Sequence, residues 1–221
     1  MSEHVHAAAT ELGPSVSPFK LISTLSVFGA VAGLLIVVVF QATQPAVLRN
    51  QAAATAAAIT EVLPGGARYQ TLFEHDGKLV AEVPAGVDTV PLEKVYTAFD
   101  TANERLGYAI IGTEPGFVDN IKLIFGYDAG AKQVLGMLVI EQKETPGLGD
   151  KIVKDTAFVN GFTRVATPLR GVKIGAGTGA SGEIDMITGA TISSRITIGI
   201  INHQLERLQP LIEAYEKAGG A

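Results

Sequence analysis

The chain has 221 residues and a net charge of −5, with no cysteine and no tryptophan. The acidic balance excludes the broad basic surface of a nucleic-acid binder. The missing thiols exclude disulfides, cysteine nucleophiles and cysteine-ligated iron–sulfur clusters, so any electron chemistry needs a cofactor held by other groups.

Residues 1–20 are small and polar, carry Pro14 and Pro18, and read as a cytoplasmic tail. His4 and His6 have a spacing a metal can use, but no further ligand type lies near them. Residues 21–40 carry no formal charge. That matches the ~20 apolar residues a helix needs to cross a bilayer. The rival reading is a cleaved signal, with ~7–15 apolar residues behind a basic start. Here the run is longer, Glu3 and Glu11 precede it, and no small-x-small cleavage site follows Phe40. A retained anchor is therefore expected. Gly29 and Gly33 have the spacing that lets a second helix approach closely, which is also ordinary glycine usage in such helices. Lys20 before and Arg49 after give little charge bias. A single early anchor with a long folded segment behind it predicts that segment outside the cytoplasm. Residues 41–63 are rich in alanine and glutamine and predict a helical stalk, ended by Pro64-Gly65-Gly66.

The remainder, 64–217, predicts an α+β domain with a mostly antiparallel sheet and packed helices. Residues 69–73 and 79–83 flank Asp76-Gly77, a hairpin signature. Residues 90–100 read as a strand or a short helix. Residues 107–112 and 121–126 read as strands, 127–130 as a turn, and 134–141 as a buried strand. Short turns between strands favour antiparallel pairing over repeated βαβ units. Residues 141–152 form a loop by composition, with Pro146, Gly147 and Gly149. Its base is fixed by the strand before it, which is where binding groups tend to sit. Residues 158–165 predict helix then strand, and 172–174 a short strand. Glycines at 175, 177 and 179 give a loose Gly-rich pattern, but no helix opens directly after it. A dinucleotide fingerprint therefore fails on context, and a flexible hairpin is expected over 175–182.

Thr188-Gly189-Ala190-Thr191-Ile192-Ser193-Ser194 precedes an apolar stripe at helical spacing: Ile196, Ile200, Ile201, Leu205, Leu208 and Ile212. Thr188 reads as the N-cap, and Pro210 predicts a kink or break. Free amides and the positive dipole end at such a helix start suit an anion. From the residues alone, both an anion site and an ordinary capped helix start stand.

Asp185-x-x-Thr188-Gly189-Ala190-Thr191-x-Ser193-Ser194 resembles the [ST]GAT flavinylation motif of the FMN-binding domain family. Residues 144–152, ETPGLGDKI, resemble the corresponding loop of the G subunit of Rnf electron-transport complexes. The resemblance covers most of the chain and implies FMN joined through its phosphate to Thr191 by a flavin transferase, which draws on FAD with a divalent metal. It implies that Thr188, Gly189 and Ala190 shape the approach, and that Ser193 or Ser194 hydrogen-bonds a phosphate oxygen. The loop with Gly147 and Gly149 then lies along the flavin ring, where Glu144 and Thr145 offer hydrogen bonds and Leu148 an apolar contact. Lys151 faces the reduced flavin or forms a surface salt bridge. The implied setting is a bacterial inner membrane, with the domain on the outer side. The implied partners are the other membrane, iron–sulfur and flavin subunits of the Rnf complex, which couples electron flow between ferredoxin and NAD to ion transport. The C subunit of sodium-translocating NADH:quinone reductases shares both motifs, but Asp150-Lys151 and the compact length favour the Rnf family. Two other classes remain: an anchored docking module without flavin, and a stand-alone flavin reductase. The latter needs an acid near the ring, and His203 on a helix surface and His75 in a hairpin turn are poor choices.

Overall fold

In a computed structural model of the protein, residues 17–220 are described. The reading of His4 and His6 lies outside them. The first element is α1 (Pro18–Val62), a helix of 45 residues. It is long and apolar enough to cross a membrane. Its large apolar side chains between Leu21 and Phe40 are exposed. The helix runs through Pro45, where Arg49 Nε donates to the Pro45 carbonyl. The chain divides into two compact units, one ending at Gln51 and the other beginning at Ala52. The end of the expected stalk therefore belongs to the folded domain. Ala58, Ile59, Val62 and Leu63 are buried against the sheet.

Seven strands form that sheet: β1 (Arg68–His75), β2 (Lys78–Val80), β3 (Lys94–Phe99), β4 (Arg105–Pro115), β5 (Asn120–Asp128), β6 (Gln133–Glu141) and β7 (Val165–Ala166). Their order is β2-β1-β3-β4-β5-β6-β7, and every pair is antiparallel. The domain is α+β, as expected. Asp76 and Gly77 have φ of 50° and 69° at the β1–β2 turn, the left-handed geometry an Asp-Gly hairpin turn requires. Within residues 90–100 the strand alternative holds over Lys94–Phe99, β3. The turn expected at 127–130 starts later, because Tyr127 is fully buried and pairs with Tyr108 and Val134. Its aromatic ring is worth more in the core than the composition around it is worth as a turn.

The last long helix, α4 (Thr191–Lys217), covers one sheet face, and the end of α1 covers the other. Along β5, Leu123 and Phe125 point into the α4 side while Ile124 joins the α1 side. This explains the unbroken apolar run in an antiparallel strand. The helix is continuous past Pro210, correcting the expected break. Glu206 and Pro210 are both exposed, so the carbonyl that loses its amide partner faces water. Ile200, Leu208 and Ile212 on α4 are fully buried. Leu208→Ala is expected to cost about 2–5 kcal/mol, the usual range for a buried leucine that leaves a cavity. A thermal melt of the variant checks this.

The chain from β6 to α4 carries three small features. Residues 151 and 152, expected as the end of the loop, instead open α2 (Lys151–Lys154), which is followed by α3 (Thr156–Asn160). Asp155 caps α3 by accepting from the amides of Ala157 and Phe158. β8 (Arg170–Lys173) and β9 (Glu183–Met186) pair in parallel, so 175–182 is not a hairpin. The Glu183 carboxylate supplies the reason. It accepts from the Thr178 and Gly179 amides and the Thr178 hydroxyl, and pairs with Arg170. This gathers the glycine-rich segment into a tight return that leaves the two strands running the same way.

Candidate functional site

The start of α4 is built without a side-chain cap. Ala190, with φ −128° and ψ 31°, is the N-cap residue, and the first helical bond runs from the Ser194 amide to its carbonyl, 2.9 Å. Thr188, expected as the cap, instead lies exposed in the turn before it. Ser194 replaces it from inside the helix. Its hydroxyl accepts from the Ile187 amide at 3.1 Å and donates to the Ala190 carbonyl at 2.9 Å. Gly189 has φ 83°, a conformation glycine adopts without strain. The amides of Thr191, Ile192 and Ser193 have no intrahelical acceptor. Thr191 is half-buried beside them.

The 144–150 loop is held against this helix start by a buried carboxylate. Glu144 is 4% exposed. One of its oxygens accepts from the Phe117 and Val118 amides at 2.9 and 3.0 Å. The other accepts from the Ser193 hydroxyl at 2.5 Å. Three segments thus meet on one side chain: the β4–β5 turn, the loop and α4. Two glycines make room for it. A Cβ on Gly116 would lie 2.5 Å from one Glu144 oxygen, and a Cβ on Gly149 2.6 Å from the other. Burial pushes the Glu144 carboxyl up, but the donors from Ser193, Val118 and Phe117 outweigh it and hold it below the usual carboxylate range. Asp150 is held low chiefly by Lys154, which pairs with it, and by the Gly147 amide at 2.7 Å.

A cavity of 370 Å³ lies between these parts. Its walls are Glu144, Thr145, Leu148 and Gly149 from the loop, Gly189, Ala190, Thr191, Ile192 and Ser193 from the helix start, and Phe117. Most of the residues singled out in the sequence are therefore brought together from segments some 40 positions apart. Lys151 is not among the walls. It is half-buried at the start of α2 and makes no ion pair among the described residues. Gly147, with φ 78°, shapes the loop from outside the cavity. Ser194 does not reach it, and the hydroxyls of Ser193 and Ser194 are both engaged within the protein. Thr188 lines a second hollow of 300 Å³ on the other side of Thr191, with Lys173, Ile174 and Met186.

Sequence reasoning missed Phe117, Ile192 and Lys173. Phe117 is 67% exposed, and an aromatic beside a glycine in a strand turn is a weak signal that was available. Lys173 had none. Only its parallel pairing with Met186 carries it to the helix start. His203 pairs with Glu114 at 2.8 Å, and His75 with Asp76 at 3.5 Å; neither lines the cavity.

The model of the FMN-binding domain family matches residues 116–206. All ten cavity residues lie within that span. The G subunit of the ion-translocating oxidoreductase complex of Pseudoalteromonas atlantica is 31% identical over 181 residues, covering 81% of this chain and 82% of that protein. The chain belongs to this G-subunit family. The corresponding protein of Methanosarcina acetivorans is 27% identical, covering 85% of this chain and 92% of that protein. NqrC of Shewanella oneidensis shares the fold, with a TM-score of 0.53 at 15% identity over 70% of this chain and 87% of that one. As a member of the G-subunit family, the protein carries an FMN-binding domain, and the cavity at the start of α4 is where its loop and its threonine motif meet.

Proposed function

We propose that this G subunit relays electrons within an Rnf complex through FMN bonded to Thr191 Oγ by a phosphodiester. One observation carries the reading: Thr191 is half-buried as the first residue of a helix, beside free amides, and lines a cavity with largely apolar walls. The residues suit FMN. The helix start accepts the phosphate charge, at about 0.3–2 kcal/mol from the dipole. Lys173 adds a cation on the far side of Thr191. Phe117, Leu148 and Ile192, all at least half exposed, offer apolar contact to a flat ring. When bound, FMN supplies a centre that accepts and gives up single electrons.

The chain's own residues supply the mounting. Ser194 ties the 187–190 turn to the helix, so the Thr191 hydroxyl is presented in one place. Glu144 holds the Phe117 turn and the loop against α4, which fixes the cavity's width. A flavin transferase forms the bond from FAD, with AMP leaving and the threonine hydroxyl losing its proton. Retention is the physical reason for the bond: outside the cytoplasm, a dissociated FMN is not replaced.

The same proposal places residues 1–20 in the cytoplasm, 21–40 across the inner membrane and 41–217 outside, the 41–63 stalk ending inside the folded domain, with the other Rnf subunits as partners. Two measurements test it. The wild-type chain, made with an active flavin transferase, is expected to keep flavin fluorescence on a denaturing gel; a dark band ends the covalent reading. A reporter that works only in the cytoplasm, fused after Ala221, is expected to be silent. An active reporter reverses the orientation.

A further inference from the structure

Two carboxylates are buried among the described residues at 4% exposure, Glu144 and Asp150. Asp150 is neutralised by Lys154. Glu144 makes no ion pair among the described residues; its partners are two amides and a hydroxyl, all neutral. Such donors stabilise a carboxylate without cancelling its charge. One full negative charge therefore stands in the wall of the 370 Å³ cavity, between residues that screen it far less than water does.

The charge is not needed to hold the shape. A glutamine has the same outline. Its carbonyl oxygen accepts from the Phe117 and Val118 amides, and its NH2 donates to the Ser193 hydroxyl oxygen, which both accepts and donates. Gly116 and Gly149 make room for the side chain at 2.5 and 2.6 Å from its two terminal atoms, and that room serves a glutamine equally. A group kept ionised and unpaired where a neutral one of the same outline holds the same frame is expected to act on what occupies the cavity.

We infer that Glu144 sets the reduction potential of the bound flavin, its fixed charge holding that potential below the value a neutral side chain would give. The inference rests on the placement of FMN proposed above. Reduction adds an electron to the ring. A negative charge behind the cavity wall raises the energy of the reduced form relative to the oxidised one and leaves the hydrogen-bonded frame unchanged. Burial would push the Glu144 carboxyl toward protonation, but the three donors keep it ionised.

The test is spectroelectrochemistry of the full chain, made with its flavin transferase and read on the flavin-loaded fraction. Glu144→Gln is expected to move the midpoint positive by about tenfold in the one-electron equilibrium, about 59 mV. Ser193→Ala keeps the charge and removes one donor, so its midpoint is expected to move negative. A wild type without flavin overturns the cofactor placement and this inference with it. A loaded wild type with an unshifted Glu144→Gln overturns this inference alone. Where Glu144→Gln does not load, an unshifted or positive Ser193→Ala midpoint does the same.

Discussion

Thr191→Ala is expected to remove the fluorescent flavin band completely and to leave the domain folded. The two halves of that result have separate causes. Thr191 is the first helical residue of α4, and its side chain makes no capping hydrogen bond. The turn before it is held by Ser194, and the helix after it by Ile198, Ile200, Ile201 and Leu205 in the core. Alanine is also a better helix former than threonine. The stability change should therefore stay within about 0.5 kcal/mol, as for surface positions without special features. The chemistry has no such reserve. Among the walls of the cavity only Thr145, Thr191 and Ser193 carry hydroxyls, and Ser193 donates its proton to Glu144. Thr145 lies on the loop and not on the helix whose first amides are free. The loss should be all or none, read by in-gel fluorescence alongside circular dichroism. Fluorescence that persists in the variant would move the attachment elsewhere.

What was legible in the sequence follows the range of the forces involved. Strand alternation, the Asp-Gly turn and the helical stripe after residue 196 are local patterns. They placed the sheet and α4 correctly. The two motifs each carry their own local chemistry, and both came to the same cavity. The failures are cases where a distant group decides. Ser194 made Thr188 unnecessary as a cap, through a hydroxyl that reaches back from inside the helix. Glu183 turned an expected hairpin into a parallel pair by gathering a glycine-rich segment that has no preference of its own. Water at an exposed carbonyl let α4 pass Pro210. Glu144, expected to offer a hydrogen bond to the ring, does line the cavity, but its place in the frame is not legible in the sequence. Its hydrogen bonds within the protein run to Phe117, Val118 and Ser193, 26 to 49 positions away, and no spacing rule connects those residues.

That long-range knot makes Gly149 the most sensitive position in the loop. Gly149→Ala is expected to lower both stability and flavin loading, and by more than Gly147→Ala. At Gly147 an added Cβ meets nothing within 4 Å, so the cost is that of a left-handed backbone alone, about 1–2 kcal/mol. At Gly149 the added Cβ would lie 2.6 Å from a Glu144 oxygen, 2.7 Å from the Glu144 Cβ and 3.0 Å from the Ser193 hydroxyl. Neither neighbour gives way cheaply. Glu144 is anchored at its own backbone and at both oxygens, and Ser193 is fixed in the first turn of α4. Overpacking of this kind costs about 1–3 kcal/mol. Displacing the carboxylate also breaks its hydrogen bonds to the Phe117 and Val118 amides; both residues are exposed, so water takes over as acceptor and the net loss is about 0.5–1.5 kcal/mol for each bond. For a chain of this size, each kcal/mol lowers the melting temperature by about 2–4 °C. Loading should fall with it, because the same movement releases the loop from the helix start and opens the cavity around Thr191. A Gly149→Ala protein that melts and loads like the wild type would mean that Glu144 does not hold these three segments together.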